Sequence, residues 1–209
     1  ITRGTRALLA MDLAAAQAII DGDDEIDAIT LEIEDRCFTV LARQGPMAGD
    51  MRALVTAIRL TSEIERSGDL MVNVAKATRR LYGSEVPAGL RGLIEAMAVE
   101  AVRLYRIAMD AYATGDANLA GAVDDMDDRL DQIHKDYVQA ILELDVQDVQ
   151  VAVQLALVGR HYERIGDHAV NIGERVQYMV TGWLPEHAGA SRFRARRAAE
   201  DAEESGTDT

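Results

Sequence analysis

Residues 65–76 read ERSGDLMVNVAK, and residues 163–174 read ERIGDHAVNIGE. The two segments start 98 residues apart and align without a gap, which pairs their acids as Glu65 with Glu163 and Asp69 with Asp167. Acids four residues apart on a helix lie one above the other on the same face. Each segment therefore presents two neighbouring carboxylates, and the repetition predicts an internal duplication of the chain.

The duplication extends to the helix that precedes each segment. Asp23 and Asp27 lie in GDDEIDAITLEIE, and Asp127 and Asp131 occupy the corresponding places in DDMDDRLDQIHKD. The first half has a longer connection, RQGPMAGD, between its two acidic helices. We therefore predict two three-helix bundles related by an internal pseudo-symmetry.

Glycine, proline and acidic turns divide the chain into six predicted helices. Apolar residues recur every three and four positions between these breaks, as they do in amphipathic helices. The predicted helices cover residues 5–20, 24–43, 50–81, 90–113, 118–144 and 146–180. This pattern predicts an all-α fold of six long antiparallel helices. The predicted divisions are a first repeat at residues 1–83, a second repeat at residues 84–184 and a charged C-terminal tail at residues 185–209.

The composition excludes several classes of function. The 209 residues include 36 Asp and Glu against 22 Lys and Arg, for a net charge of −14. So acidic a chain repels nucleic acids and anionic membranes. No stretch approaches the roughly 20 apolar residues that span a bilayer. The single cysteine, Cys37, cannot form an internal disulfide, which fits a reducing cytoplasm. There is no phosphate-binding P-loop, nucleophile elbow or dinucleotide-binding motif.

The repeated acid pairs leave two interpretations open. With 36 acids in 209 residues, one pair four residues apart is a weak signal, and its acids could be solvated or bonded to Arg66 and Arg164. Pairs at matching places on two helices of each half strengthen the case for converging carboxylates. Gly68 and Gly166 lie inside the acidic helices, where glycine costs about 1 kcal/mol relative to alanine, so each suggests close approach by a neighbouring helix. Pattern alone does not separate a carboxylate site from a salt-bridge network.

If the acids converge, their oxygen ligands favour the hard cations Mg, Mn and Fe. One cysteine and four histidines offer no ligand set for structural zinc. An oxygen-activating di-iron site needs Glu-x-x-His on two helices, and only Asp131-x-x-His134 approaches this pattern. For His161 and His168, which flank the second acid pair, packing or exposure is favoured over metal ligation.

Taken together, these motifs resemble the PhoU family, and residues 159–182 are similar to its actinobacterial members. The shared features are the repeated ERSGD and ERIGD, the RQGP connection and the preceding Asp-x-x-x-Asp pairs. The first helix is shorter than the family pattern, so we expect the N-terminus to be incomplete. The resemblance implies two symmetric three-helix bundles that carry multinuclear sites for Fe, Mn, Mg or Zn. The metal ligands that it implies are Asp23, Asp27, Glu65, Asp69, Asp127, Asp131, Glu163 and Asp167.

The resemblance also implies a negative regulator of the phosphate-starvation response that is not an enzyme. Such a protein is an adaptor between the ATPase subunit of the phosphate-specific ABC transporter and a sensor histidine kinase. It would be cytoplasmic and would reach the membrane only through these partners, and a homodimer is compatible with the role. The alternative is a metalloenzyme that hydrolyses phosphate esters at a two-metal site. That activity needs an open coordination position and a substrate pocket, and the sequence shows neither.

Overall fold

The structure, a computed structural model, describes residues 1–144 and 149–183. These residues form helices and connecting turns, with no strand among them. The helices are α1 (Thr2–Ala10), α2 (Leu13–Asp21), α3 (Asp23–Gln44), α4 (Gly49–Arg80), α5 (Ala88–Thr114), α6 (Ala117–Leu142) and α7 (Val149–Thr181). The all-α prediction is confirmed. The predicted tail at residues 185–209 and the predicted start of the last helix at Val146 lie outside the described residues.

The predicted helix at residues 5–20 is wrong, because the chain breaks at Met11 and Asp12. Met11 has a left-handed backbone with φ of 51°, and its N–H bonds back to α1. The carboxylate of Asp12 then accepts the N–H groups of Ala14 and Ala15 and caps α2. An N-terminal cap of this kind stabilises a helix by about 1 kcal/mol. The segment DGDD was predicted to end the first helix, and α2 does end there, at Asp21. Gly22 nevertheless keeps a right-handed helical backbone, with φ of −81°.

The same cap recurs in the second half and shows which helices correspond. Asp116 accepts the N–H groups of Asn118 and Leu119 at the start of α6, as Asp12 does at the start of α2. Asp12 and Asp116 have the same spacing along the chain as Asp23 and Asp127. Together α2 and α3 are therefore the counterpart of α6, and α1 is the counterpart of the end of α5. If α2 and α3 are counted as one helical unit, residues 1–144 and 149–183 form six units, three in each bundle.

The two bundles share one apolar core. In the first bundle α4 packs against α1, α2 and α3, while in the second α5, α6 and α7 pack against one another. The bundles meet where α4 packs against α7 and α1 packs against α5. Fully buried side chains at these contacts include Leu81, Leu104, Leu155, Tyr162 and Ile165. At 33 residues, α7 extends about 50 Å, so the bundles form an elongated body.

Polar contacts join α4 to α7 within this largely apolar interface. The side chains of His168 and Asn171 both donate to the carboxylate of Glu63, at 2.6 and 3.1 Å. Further along, Thr56 donates to the backbone carbonyl of Arg175, and Arg52 donates to that of Met179. Such bonds have directional requirements that apolar contacts lack, so they define how the two helices are placed along each other.

Close helix packing predicts opposite effects for alanine at two glycines. A Cβ at Gly173 would lie 2.6 Å from the carbonyl oxygen of Ala120 in α6, whereas a Cβ at Gly92 would meet nothing within 4 Å. We expect Gly173→Ala to lower the free energy of unfolding by roughly 1–3 kcal/mol, because backbone cannot move aside cheaply. Gly92→Ala should raise it by roughly 0.5–1 kcal/mol through helix propensity. Urea unfolding followed by circular dichroism measures both. A stabilising Gly173→Ala would contradict the described packing of α6 on α7.

Candidate functional site

The predicted ligands lie on four helices, two helices in each bundle. In the first bundle, the start of α3 carries Asp23 and Asp27, and the middle of α4 carries Glu65 and Asp69. In the second, α6 carries Asp127 and Asp131, and α7 carries Glu163 and Asp167. We call these four-residue sets the first and second acidic clusters. Each lies between two helices that pack directly against each other.

The acids of the first cluster are close enough to affect one another's ionisation. The pKa of Asp23 is raised by burial and then by the charges of Asp69 and Asp27. The pKa of Glu65 is raised by burial and by the same two neighbours. Carboxylates from α3 and α4 are therefore brought near one another, the arrangement that the sequence pattern left open beside a salt-bridge network. Asp27 and Asp69 are exposed, so this cluster is open to solvent on one side.

The second cluster is more deeply buried. Burial, followed by the charges of Asp131, Asp167 and Glu163, raises the pKa of Asp127 to about 7. The pKa of Glu163 is also raised, first by burial and then by Asp167, although a hydrogen bond from Arg160 opposes the shift. The oxygens Asp127 Oδ1 and Glu163 Oε2 are buried and have no hydrogen-bond partner among the described residues.

The glycine within each acidic helix makes room for the carboxylate of the neighbouring helix. A Cβ at Gly68 would lie 3.5 Å from Asp23 Oδ1 and 3.2 Å from Ile26 Cδ1. A Cβ at Gly166 would overlap Asp127 Oδ1 and would lie 2.6 Å from Leu130 Cδ2. A larger residue at Gly166 would therefore displace side chains of α6, whereas one at Gly68 would require only a small shift of Ile26. The glycines were predicted to permit close approach, and the structure shows that the approaching group is itself an acid of the cluster.

The two clusters fit cations to different degrees. Buried oxygens without partners cost free energy unless a proton or a cation compensates them, and the second cluster contains two such oxygens. The first cluster has a nearby ammonium group, since Lys76 partly offsets the raised pKa of Asp23. Within the described ranges, no three His, Cys, Asp or Glu side chains are already placed to hold a metal ion. Carboxylates would have to rotate inward, so the donor chemistry fits a cation but the coordination geometry is not preformed.

The histidines near the second acid pair have other surroundings. His168, buried at 7% exposure, donates to Glu63 across the bundle interface. Burial alone would raise the pKa of Glu63, but the bonds from His168 and Asn171 hold it below its usual value. His161 has a buried Nδ1 without a partner among the described residues, and burial lowers its pKa. Asn171 bonds the crossing helix α4 rather than supporting a cluster.

Three further polar residues were missed by the sequence analysis. Glu100 is buried at 3% exposure on α5 and is bonded to Arg103 at 2.6 Å and to Arg129 of α6 at 3.5 Å. Its spacing to Arg103 was a local signal that could have marked the pair. The bond between Arg129 and Glu100 depends on how α5 packs against α6, and nothing in the sequence indicates it.

A cavity of about 560 Å³ lies beside the first cluster. It is lined by α1, α2, α3 and α4 together with Tyr105 of α5, and it reaches Gly68. Among the acids of the first cluster, only Asp23 lines this cavity. A two-metal hydrolase requires both metals to face the substrate. This cavity meets one carboxylate of the four, so it does not supply such a substrate pocket.

Comparison with known proteins agrees with this geometry. The PhoU domain family model matches residues 1–78 and 94–176, which contain both acidic clusters. This chain belongs to the PhoU family. It is 37% identical over 193 residues to "Phosphate-specific transport system accessory protein PhoU homolog 1" of Mycobacterium tuberculosis, covering 91% of this chain and 87% of that protein. It is 32% identical to the PhoU homolog of Rhizobium meliloti, covering 89% of this chain and 80% of that protein.

Solved PhoU structures share the fold. The crystal structure of PhoU from Pseudomonas aeruginosa superimposes with a TM-score of 0.81 at 30% identity, covering 87% of this chain and 88% of that one. The phosphate transport system regulatory protein PhoU from Streptococcus pneumoniae gives the same TM-score at 26% identity, covering 88% and 87%. These PhoU structures confirm the predicted fold of paired three-helix bundles. None of the helices described in residues 1–144 and 149–183 has the length and hydropathy needed to cross a bilayer.

The raised pKa of Asp127 predicts a pH-dependent effect of Asp127→Asn in metal-free protein. Folding disfavours the charged form, so ionisation of Asp127 costs stability progressively as the pH rises from near its ordinary value of 3.8 to about 7. The asparagine variant avoids this cost. We expect it to raise the melting temperature at about pH 8 and to lose that advantage toward about pH 4. Thermal denaturation in a chelating buffer measures the difference, with Asp35→Asn at an exposed site as control. A pH-independent effect of Asp127→Asn would contradict the described burial.

Proposed function

We propose that this PhoU-family protein is a negative regulator of the phosphate-starvation response. It acts as a non-enzymatic adaptor between the ATPase subunit of the phosphate-specific ABC transporter and a sensor histidine kinase. The observation that carries this proposal is the similarity, over nine-tenths of the chain, to a protein named as a phosphate-specific transport system accessory protein. The proposal places the protein in the cytoplasm, at the membrane only through its partners.

The acidic clusters are proposed to bind metal ions of the Mg, Mn, Fe or Zn type. The carboxylates of Asp23, Asp27, Glu65 and Asp69 would hold cations in the first bundle. The corresponding ligands in the second bundle are Asp127, Asp131, Glu163 and Asp167. When bound, a cation supplies positive charge that cancels the repulsion between carboxylates of adjacent helices. The raised pKa values and the two buried oxygens without partners support this proposal.

An adaptor needs helices that keep a defined relative placement while they contact two partners. In this chain α4 and α7 each contribute acids to one cluster, and they are joined to each other through Glu63, His168 and Asn171. The clusters therefore lie on helices that belong to a single interface between the bundles. Cations that tie α3 to α4 and α6 to α7 would stiffen the two helix pairs that meet at this interface. No observation on the described residues favours the alternative of a phosphate-ester hydrolase.

Metal content tests the cluster proposal. Purified protein incubated with Mn or Fe and then desalted should retain metal by elemental analysis. The double variant Glu163→Ala with Asp167→Ala should lose the metal of the second cluster, because half of its carboxylates are gone. The matched control replaces two exposed acids outside the clusters, Asp35 and Asp110, with alanine and should retain the wild-type content. If wild-type protein holds no metal under either condition, the cluster proposal fails.

Gene expression tests the regulatory proposal. Deletion of the gene should raise transcripts of phosphate-scavenging genes several-fold in phosphate-rich medium, because the kinase would no longer be restrained. A plasmid copy of the wild-type gene should restore repression, whereas the cluster double variant should restore it only in part. Quantitative transcript measurement gives the result. Unchanged transcripts after deletion would argue against a negative regulator, whatever the metal content of the protein.

A further inference from the structure

A groove between α1 and α5 lies outside both acidic clusters. It has a volume of about 730 Å³, and all of its lining residues belong to these two helices. Its apolar lining includes Leu9, Val99, Val102 and Ile107. Val99 is 62% exposed, although it lies in the middle of a long helix. Val99 and the partly buried side chains beside it form an apolar strip that another apolar group can cover.

The polar lining of this groove is basic in an otherwise acidic protein. It contains Arg6, Arg91, Arg103 and Arg106 but only one acid, Glu95. Arg103 is bonded to the buried Glu100. No ion pair or hydrogen bond joins the other three arginines to any residue in the described parts of the chain. All three are exposed. The groove is therefore a positively charged strip on a molecule of net charge −14.

The spacing of the arginines indicates the shape of the occupant. Arg91 and Arg106 are 15 residues apart on α5, which corresponds to about 22 Å along the helix. A small anion cannot contact both ends of such a strip. A helix of about four turns has the required length, and an amphipathic helix lying in a groove between two helices is a recurring mode of recognition.

We propose that the groove between α1 and α5 binds an amphipathic helix of a partner protein whose apolar stripe is flanked by acidic side chains. The apolar stripe would cover Val99 and its neighbours, and the flanking acids would pair with Arg6, Arg91 and Arg106. This inference deepens the proposed adaptor function and rests on it for the role of the partner. The binding surface itself follows from the charge and shape of the groove.

The two kinds of contact contribute differently to this complex. Apolar area removed from water supplies most of the binding energy, while charged groups at the rim of an interface mainly set the association rate and the choice of partner. A helix with basic flanks would meet like charges at three or more places. The groove should therefore discriminate between helices that have the same apolar stripe but opposite flanking charge.

A pair of constrained peptides tests the proposal on the full chain. The probe is a fluorescent helical peptide of about 18 residues, stapled on its outer face, with a leucine stripe flanked by glutamates. The comparison peptide carries lysines in place of the glutamates. We expect saturable binding of the glutamate peptide by fluorescence anisotropy, weakened by added salt, and at least about tenfold weaker binding of the lysine peptide.

Matched variants locate the binding surface. Replacing Arg6, Arg91 and Arg106 with glutamate should weaken binding of the glutamate peptide on the order of tenfold or more. Val99→Ser should weaken it without changing the charge of the groove, because it removes apolar contact only. The control replaces three other exposed arginines without described ion pairs, Arg43, Arg59 and Arg79, with glutamate, and it should bind nearly as the wild type does. Urea unfolding of each variant verifies that it is folded.

Several results would overturn the proposal. These are absence of glutamate-peptide binding to the wild type, equal binding of both peptides, or equal weakening by the groove and control variants. Loss of wild-type self-association in the groove variants, measured by sedimentation, would assign the groove to a second copy of this chain instead. Peptide binding is measured without the transporter or the kinase. Failure here is thus distinct from failure of the regulatory role, which the transcript measurement detects.

Discussion

The central constraint on this structure is that helix packing places like-charged carboxylates against one another between neighbouring helices. Gly166 lets α6 approach so closely that Asp127 lies where a larger side chain would be, and Gly68 lets Ile26 and Asp23 of α3 pack against α4. Burial, and then repulsion between neighbouring carboxylates, raises the pKa values of Asp23, Glu65, Asp127 and Glu163. Retaining such an arrangement costs stability unless protons or cations compensate it. This cost supports the proposal that the clusters bind cations.

The two acidic clusters have different surroundings, although they share one sequence pattern. The first cluster is exposed on one side and has Lys76 nearby, whereas the second contains buried oxygens without partners. Glu63 corresponds in sequence to His161, and Leu70 corresponds to His168, so the pseudo-symmetry fails at the bundle interface. Glu63 pairs there with His168, so the described part of the interface contains one acid-histidine contact instead of two. The two halves of the duplicated fold are therefore not equivalent in their acidic clusters or at the bundle interface.

The repeat itself could be read from residue order alone. Acids four residues apart share a helix face whatever the helix packs against, so Glu65 and Asp69, or Glu163 and Asp167, were certain to lie side by side if helical. Gly68 and Gly166 between those acids marked the places of close contact. The boundary between α1 and α2 could not be found from residue order, because the apolar residues keep their helical spacing across Met11 and Asp12. Comparison of Asp12 with Asp116 would have revealed it.

The sequence by itself determined the helical class, the duplication and the pairing of acids on each helix, since these follow from local periodicity and backbone geometry. Only the tertiary structure decided which carboxylate oxygens are buried away from water. It also decided that His168 and Asn171 bond Glu63, and that unpaired arginines border a groove between α1 and α5. Burial and charge pairing depend on neighbours that are distant along the chain. Those neighbours are set by how whole helices pack, and helix packing is not encoded in the spacing within any single helix.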